Sequence, residues 1–187
     1  KKWGDAEGDN RYAIDTEKFY ENVMNRYKYG GLDTPGLYLD ETTMRICYSH
    51  RRLFAQLAKE LVKQGDNARA QKVLAYAEQA IPAYNVPQVY ESGSYDIATA
   101  YASIGETGKA ITLLNDLISE SRDYIDWAFS LGDSRIAMVQ RDCLYKFWQW
   151  NQCNGLLKDM DKERYKQSNQ QFEEKYMRLA QLMNYQN

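Results

Sequence analysis

The chain has little of what breaks or cross-links a polypeptide: its 187 residues include 3 prolines, 11 glycines and 3 cysteines. A fold of many short strands would need more proline and glycine in its turns, so the composition favours long helices. Cys47, Cys143 and Cys153 show no spacing typical of a disulfide framework or a zinc site, and we expect three small buried side chains. No apolar run approaches the roughly 20 residues that a membrane-spanning helix needs.

An excess of charge of one sign is also missing. The 24 lysines and arginines nearly balance the 26 aspartates and glutamates, which leaves a net charge of −2. The net charge therefore does not favour binding to nucleic acid or to an anionic membrane. Hydrophobic residues make up 44% and charged residues 27% of the chain, a composition typical of one globular domain and too apolar for a disordered segment.

Patterns of residues that carry chemistry are absent as well. His50 is the only histidine, so a site with several histidine ligands is excluded, and its place beside two arginines favours a hydrogen-bonded structural residue. The Gly30-Gly31 pair is not followed by the Lys-Ser or Lys-Thr of a phosphate-binding loop. The sequence therefore predicts no catalytic residue, no metal site, no cofactor and no enzyme activity for this part of the protein.

What the sequence does contain is helical periodicity, from residue 15 onward. Breaks and capping residues divide it into seven helices. The predicted helices run from Asp15 to Tyr29-Gly30-Gly31, from 41 to 64 behind an Asp40 cap, from an Asp66 or Asn67 cap to Pro82, from Pro87 to about Ile104, from a Thr107 cap to Leu131, from 135 to 153 behind Asp133 or Ser134, and from 161 to 184.

Two helix pairs repeat along the chain. The pairs Gly65 and Gly105, Ala70 and Ala110, and Leu74 and Leu114 are each 40 positions apart. Small residues at such positions let two antiparallel helices approach closely, as in tetratricopeptide (TPR) repeats. The sequence therefore predicts an all-α, TPR-like α-α superhelix of antiparallel helix hairpins, closed by an atypical C-terminal capping hairpin.

The predicted domain organisation follows from this repeat. Since the chain begins with Lys1 rather than methionine, we interpret it as a piece of a longer protein and its first residues as a linker from a missing N-terminal region. The predicted parts are a linker at 1–14, a single TPR-like domain at 15–187, TPR-like units at about 48–82 and 91–131, and a terminal hairpin at 133–185.

Charge is unevenly distributed along this domain. Seven basic residues against two acidic ones lie between residues 44 and 73, and eight acidic against two basic lie between 85 and 134. One interpretation is mutual neutralisation of neighbouring hairpins; the other is a groove with a basic end for an acidic or phosphate-bearing partner. The first helix of each TPR pair lines the concave face, so the predicted binding residues are Arg52, Lys59, Lys63, Tyr95 and Thr99.

Aromatic residues leave a second function open, because the chain holds 16 tyrosines and 4 tryptophans. Such rings suit helix seams and binding grooves equally well. Tyr84, Tyr90, Tyr95 and Trp127 would be available to stack on sugar rings. The alternatives to protein binding are therefore a carbohydrate- or glycolipid-binding accessory domain and a spacer or oligomerisation domain without a ligand.

Several stretches carry a resemblance beyond the general TPR pattern. They are Tyr20-Glu21-Asn22-Val23-Met24-Asn25, Gly31-Leu32-Asp33, Tyr38-Leu39-Asp40-Glu41-Thr42, Arg51-Arg52-Leu53-Phe54-Ala55-Gln56-Leu57-Ala58, and Ile81-Pro82 followed by Val86-Pro87. Together they resemble the soluble C-terminal region of an uncharacterised Bacteroidetes family of large membrane proteins. The multi-pass N-terminal part of that family is similar to protein O-mannosyltransferases.

The resemblance covers about residues 15–131 well and the final hairpin poorly. It implies that the chain is the periplasmic TPR-like tail of a membrane glycosyltransferase-like protein whose catalytic residues lie in the missing part. The implied partner is a protein or peptide, and the membrane is reached only through the missing N-terminal part. The oligomeric state and the activity of the full-length protein stay open.

Overall fold

The computed structural model describes residues 14–133 and 135–184. Within these ranges the chain is helical and contains no β-strand. Except for Ile14, the predicted linker at 1–14 lies outside the described residues, as does Ser134. None of the helices in the described ranges is long and apolar enough to cross a membrane.

Seven α-helices follow one another in the described part of the chain. They are α1 (Thr16–Glu21), α2 (Glu41–Lys63), α3 (Asn67–Ala80), α4 (Ser94–Ser103), α5 (Thr107–Ser130), α6 (Gln140–Met160) and α7 (Lys162–Asn184). A π-helical turn, Asn22–Arg26, extends α1, and the 3₁₀ turns Tyr90–Ser92 and Ile136–Val139 precede α4 and α6.

The boundaries of α2 and α3 agree with the sequence prediction. An Asp40 carboxylate oxygen accepts a hydrogen bond from the Thr43 amide at 2.7 Å, and Asp66 does the same for the Arg69 amide at 3.0 Å. Each carboxylate thus caps the first turn of its helix. Between the two helices Gly65 adopts a φ of +76°, a left-handed conformation that ends α2.

The predicted helix from Pro87 to Ile104 is wrong in its first part, because α4 begins only at Ser94. Gly93, with a φ of +84°, separates α4 from the preceding 3₁₀ turn. The connection before that turn is held by the buried Arg51, which donates to the carbonyl of Val86 at 2.6 Å and to that of Pro87 at 2.8 Å. These bonds hold the connection in its non-helical conformation.

The predicted end of the first helix and the cap of α5 also need correction. The first helix stops at Arg26 rather than at Tyr29, whose hydroxyl donates back to the Val23 carbonyl at 2.9 Å. Thr107 is the first residue of α5 rather than its cap; the cap position belongs to Glu106. The predicted extension of α5 to about residue 131 is confirmed, because the helix ends at Ser130.

The sixth helix is shifted relative to its prediction at 135–153. It begins at Gln140 after a 3₁₀ turn, so Asp133 does not cap it, and it continues to Met160. Cys153 and Leu157 are both fully buried on α6, so its apolar stripe continues past the predicted end. Burial of all three cysteines, none of which forms a disulfide, confirms the prediction for these residues.

The 40-residue repeat is present in the hydrogen bonds of the structure. In both hairpin turns a glycine amide donates to the carbonyl three residues earlier, and the next amide donates to the carbonyl five residues earlier. These bonds join Gly65 to Val62 at 3.0 Å, Asp66 to Leu61 at 2.9 Å, Gly105 to Ala102 at 3.1 Å and Glu106 to Tyr101 at 2.9 Å. Ala70 and Ala110, which follow the turns, are both fully buried.

Consecutive helices from α2 onward pack on one another, and α2 also packs on α4. The first helices of the two repeated hairpins are therefore neighbours. The apolar interior consists of two clusters, one mainly from α1 to α4 and the other mainly from α5 to α7. Helix α4 contributes to both, through Tyr101 to the first and through Ala98 to the second.

Candidate binding face

The exposed side of α2 carries three of the predicted binding residues. Arg52, Lys59 and Lys63 are all exposed and recur at helical spacing. Lys63 forms an ion pair with Glu60 at 2.8 Å. Lys59 forms no ion pair with a described residue, and the partners of Arg52 are uncharged. Arg52 and Lys59 on this side of α2 therefore keep positive charge that no ion pair with a described residue offsets.

Helix α4 approaches α2 closely beside Arg52. A Cβ atom added at Gly93 would lie 2.9 Å from the Cγ atom of Arg52 and 3.2 Å from its Cα atom, so only glycine fits there. Arg52 also donates to the Glu91 carbonyl at 2.6 Å. Tyr95 and Thr99 lie further along α4, where the Thr99 hydroxyl donates to the Tyr95 carbonyl at 3.0 Å. The five predicted residues thus occupy two adjacent helices; their binding role stays a prediction.

Four aromatic rings lie beside these residues, and we call Tyr90, Tyr95, Tyr145 and Trp148 the ring cluster. Tyr90 stacks on Tyr95 with ring centroids 5.2 Å apart and contacts Trp148 edge-on at 5.3 Å. Tyr145 stacks on Trp148 at 5.6 Å with only 13° between the ring planes. The ring cluster therefore joins the 3₁₀ turn before α4, α4 itself and α6.

Sequence reasoning found only half of this cluster. Of the four rings proposed for sugar stacking, Tyr90 and Tyr95 belong to it. Tyr84 instead donates to the Asp33 carbonyl at 2.7 Å, and Trp127 packs against Tyr124 on α5. Tyr145 and Trp148 were missed. Their signal in the sequence is a spacing of three on a helix, outside the buried stripe of α6.

A polar group of four residues adjoins the ring cluster. The Gln149 amide donates to a Glu91 carboxylate oxygen at 2.6 Å. The Lys146 ammonium lies 3.9 Å from Glu91 and donates to both carboxylate oxygens of Glu120, at 2.8 and 3.0 Å. Gln149 is fully buried, and its Oε1 atom accepts no hydrogen bond from a described residue. In this group Lys146 offsets the charge of the Glu91 and Glu120 carboxylates. The Oε1 atom of Gln149 is an acceptor without a donor among the described residues.

Burial changes the acid–base behaviour of the rings and of the thiol nearby. Desolvation raises the pKa of both Tyr90 and Tyr95, because the charged phenolate is disfavoured away from water. The same cause raises the pKa of Cys153 to about 12. All three groups are therefore neutral at physiological pH and add no charge to the ring cluster.

The uneven charge along the sequence is offset between neighbouring hairpins for part of the acidic segment, but not between the basic and the acidic segments. Basic residues of the 44–73 segment pair within that segment or with α1: Arg69, for example, forms ion pairs with Asp66 and with Glu17 of α1. Carboxylates of the 85–134 segment pair with the terminal hairpin: Glu120 binds Lys146 of α6, and Asp126 binds Lys175 of α7. These ion pairs do not join the basic segment to the acidic one, so the basic side of α2 keeps its charge.

His50 differs from its prediction as a hydrogen-bonded structural residue. Its Nδ1 atom is buried and has no hydrogen-bond partner among the described residues. The imidazole packs edge-on against Tyr27 at 5.9 Å and Tyr29 at 5.6 Å between ring centroids. Its contacts are therefore aromatic.

The larger of the described cavities lies away from the binding face. It encloses about 260 Å³ and is lined by the loop around Gly30 together with Tyr76 and Gln79 of α3. In the described part of the chain no three His, Cys, Asp or Glu side chains are grouped to hold a metal ion.

Comparison with protein-family models, with curated proteins and with solved structures finds no match. The resemblance to the C-terminal region of a Bacteroidetes membrane-protein family therefore stays a prediction. The geometry of α2, α4 and α6 is the basis on which a function is argued.

Proposed function

We propose that this chain is a TPR-like protein-interaction module whose concave face, formed by α2 and α4, binds an acidic segment of a partner protein. Support for the TPR-like superhelix comes from the two hairpin turns, whose hydrogen bonds repeat 40 positions apart along the sequence. The contact between α2 and α4, the first helices of successive hairpins, is the contact that such a superhelix requires.

One observation carries the choice of an acidic partner: the positive charge of Arg52 and Lys59 is not offset by an ion pair with a described residue. Arg52 donates to the Glu91 carbonyl and, at 2.9 Å, to the Ser49 hydroxyl, both of which are uncharged. Along α2, Lys59 and Lys63 follow Arg52 by about 10 and about 16 Å at ~1.5 Å per residue. An extended acidic peptide matches such a row of charges.

The cellular setting of this module is proposed from the sequence resemblance alone. In that setting the chain is the periplasmic tail of a membrane glycosyltransferase-like protein. It recruits an acceptor protein or organises the assembly of that membrane protein. Any catalytic residues of that protein belong to another part of it, and the membrane is reached through that part as well.

The proposal is tested by reversing charge on α2. We expect the double variant Lys59→Glu, Lys63→Glu to bind a fluorescently labelled oligoglutamate peptide about tenfold more weakly at low salt, mostly through a slower association rate. The difference should shrink as salt is raised, because exposed charges are screened over about 10 Å at 0.1 M ionic strength. Stopped-flow fluorescence and anisotropy titrations measure both effects.

The double variant Lys162→Glu, Lys166→Glu is the matched control, since both lysines are exposed on α7 and the charge change is the same. An equal loss of binding in this control would mean that the peptide responds only to total charge. No binding of the peptide by the original chain at low salt would also contradict the proposal and favour a spacer or oligomerisation domain.

A second candidate function is a carbohydrate- or glycolipid-binding accessory domain that contributes to glycosyl transfer. The stacking of Tyr95 on Tyr90 beside the exposed Trp148 favours it, because extended aromatic surfaces suit sugar rings. The two functions differ in their response to salt and in the residues they need. Sugar binding would be insensitive to salt and to the α2 charge reversal.

A further inference from the structure

The ring cluster has a flat, accessible part on α6. Trp148 is 46% exposed and Tyr145 is 45% exposed, although both are large apolar side chains. Their ring planes differ by only 13° with centroids 5.6 Å apart, so the two stacked rings form one joint apolar patch. The edge contact of Trp148 with Tyr90 fixes this surface against the turn before α4. We call the surface of Tyr145 and Trp148 the aromatic platform.

Hydrogen-bond acceptors lie at the edge of the aromatic platform. Glu91 directly follows Tyr90, Gln149 directly follows Trp148, and the side chains of Glu91 and Gln149 are joined by a hydrogen bond of 2.6 Å. Gln149 is fully buried while its Oε1 atom lacks a donor among the described residues. A buried acceptor without a partner is destabilising, and such groups often mark the place of a ligand or an ordered water.

The charges beside the aromatic platform are already offset. Lys146 is nearly buried, donates twice to Glu120 and lies 3.9 Å from Glu91, so one ammonium neutralises much of two carboxylates. A cationic ligand would have to compete with Lys146 for these carboxylates. A neutral ligand that donates hydrogen bonds does not.

From these contacts we propose that the aromatic platform is the base of a binding site for a neutral oligosaccharide of pyranose units. One face of a pyranose ring carries C–H groups, which pack on the π-faces of Trp148 and Tyr145. Hydroxyl groups at the ring edge donate to the exposed Glu91 carboxylate, and a hydroxyl that reaches the buried Oε1 atom of Gln149 supplies the donor that this atom lacks among the described residues. This inference rests on the second candidate function and does not depend on the binding of an acidic peptide by α2.

The test uses the full 187-residue chain with cellohexaose and mannohexaose as neutral probes. Isothermal titration calorimetry, with tryptophan fluorescence as a second readout, should detect binding of at least one probe. Trp148→Ala and Tyr145→Ala should each weaken that binding about tenfold or more, whereas Trp148→Phe retains part of it. Because both replaced side chains are half exposed, we expect at least one of the two alanine variants to fold. Circular dichroism checks the fold of each variant.

Trp127→Ala is the matched control, because Trp127 is 49% exposed on α5 and packs on Tyr124 outside the ring cluster. It should change the affinity less than about twofold. Raising salt from about 50 to about 500 mM should leave sugar binding unchanged, because a neutral ligand is not screened. Glu91→Gln should weaken sugar binding only about threefold, since the amide still accepts a hydrogen bond.

Three results would overturn the inference. They are no binding of either oligosaccharide, binding that survives the loss of both platform rings, and a preference for an oligoarginine peptide that high salt or Glu91→Gln abolishes. The last result would identify the aromatic platform as a site for a cationic partner. None of the three bears on the proposed acidic-peptide face, which is tested through Lys59 and Lys63.

Discussion

At the scale of single residues, Arg51 shows how one side chain organises a connection between hairpins. It is 1% exposed and donates to the carbonyls of Ile81, Val86 and Pro87 and to the Ser92 hydroxyl, at 2.6 to 3.2 Å. Burial lowers its pKa to about 10, because the guanidinium loses hydration. The carbonyl dipoles replace that hydration, so the cation organises a segment that lies 30 to 41 positions further along the chain, without a carboxylate partner.

We expect Arg51→Met to lower the free energy of unfolding by about 2–4 kcal/mol, because the buried carbonyls that it binds would lose their donor. Urea denaturation followed by far-UV circular dichroism measures this change. Arg45→Met is the control: Arg45 is exposed and pairs only with Glu41 on the same helix, so its loss should cost no more than about 0.5 kcal/mol. Equal stability of the two variants would contradict the role assigned to Arg51.

At the scale of helices, the hairpin of α6 and α7 is held together by a series of side-chain hydrogen bonds and by aromatic contacts. The Trp150 indole donates to the Ser168 hydroxyl at 2.7 Å, which donates to the Asn154 side chain at 2.6 Å. Phe172 packs edge-on against Phe147 and Trp150. Helix α7 is otherwise largely polar, so a narrow apolar stripe attaches it to the bundle.

Phe172→Ala should therefore destabilise the chain by about 2–4 kcal/mol, because the packing of α7 depends on few large side chains. Met177, which is 63% exposed on the same helix, offers a comparison: Met177→Ala should change stability by less than about 0.5 kcal/mol. Thermal melts of both variants check the prediction. A small effect of Phe172→Ala would mean that α7 contributes little to the fold.

At the scale of the whole molecule, the two apolar clusters meet at α4 and divide the chain into an N-terminal and a C-terminal half. In a linear array of hairpins each unit contacts mainly its neighbours, so stability need not be shared evenly between the ends. Three of the four tryptophans, Trp127, Trp148 and Trp150, lie in the C-terminal half, and Trp3 lies outside the described residues. Tryptophan fluorescence therefore reports mainly on that half, whereas far-UV circular dichroism reports on all helices.

This division predicts that Leu57→Ala, in the first cluster, lowers the urea midpoint seen by circular dichroism more than the midpoint seen by tryptophan fluorescence. Leu114→Ala, at a fully buried position of the second cluster, should lower both. Each substitution should cost about 2–5 kcal/mol in the cluster that it affects. Coincident midpoints for both variants would instead indicate a single cooperative unit.

Local features of the sequence determined most helix boundaries. Asp40 and Asp66 cap the helices that follow them because the capping hydrogen bond spans only three residues. The glycines at the two hairpin turns are equally local, since a positive φ suits glycine best. Periodicity likewise determined the all-helical class, the burial of the cysteines and the exposed basic side of α2.

Only the tertiary structure determined the conformation of the connections between the helices and the contacts between distant side chains. The connection around Pro87 is not helical, and Arg51, far earlier in the chain, binds its carbonyls. Glu91 and Gln149 meet although they are 58 positions apart, and their contact accompanies that of Tyr90 with Trp148. Helical periodicity indicates which side of one helix is apolar. It does not indicate which residues of another helix will pack against that side. The ring cluster therefore depends on the contact between α6 and the 3₁₀ turn before α4, which no local pattern contains, whereas the aromatic platform itself lies within α6.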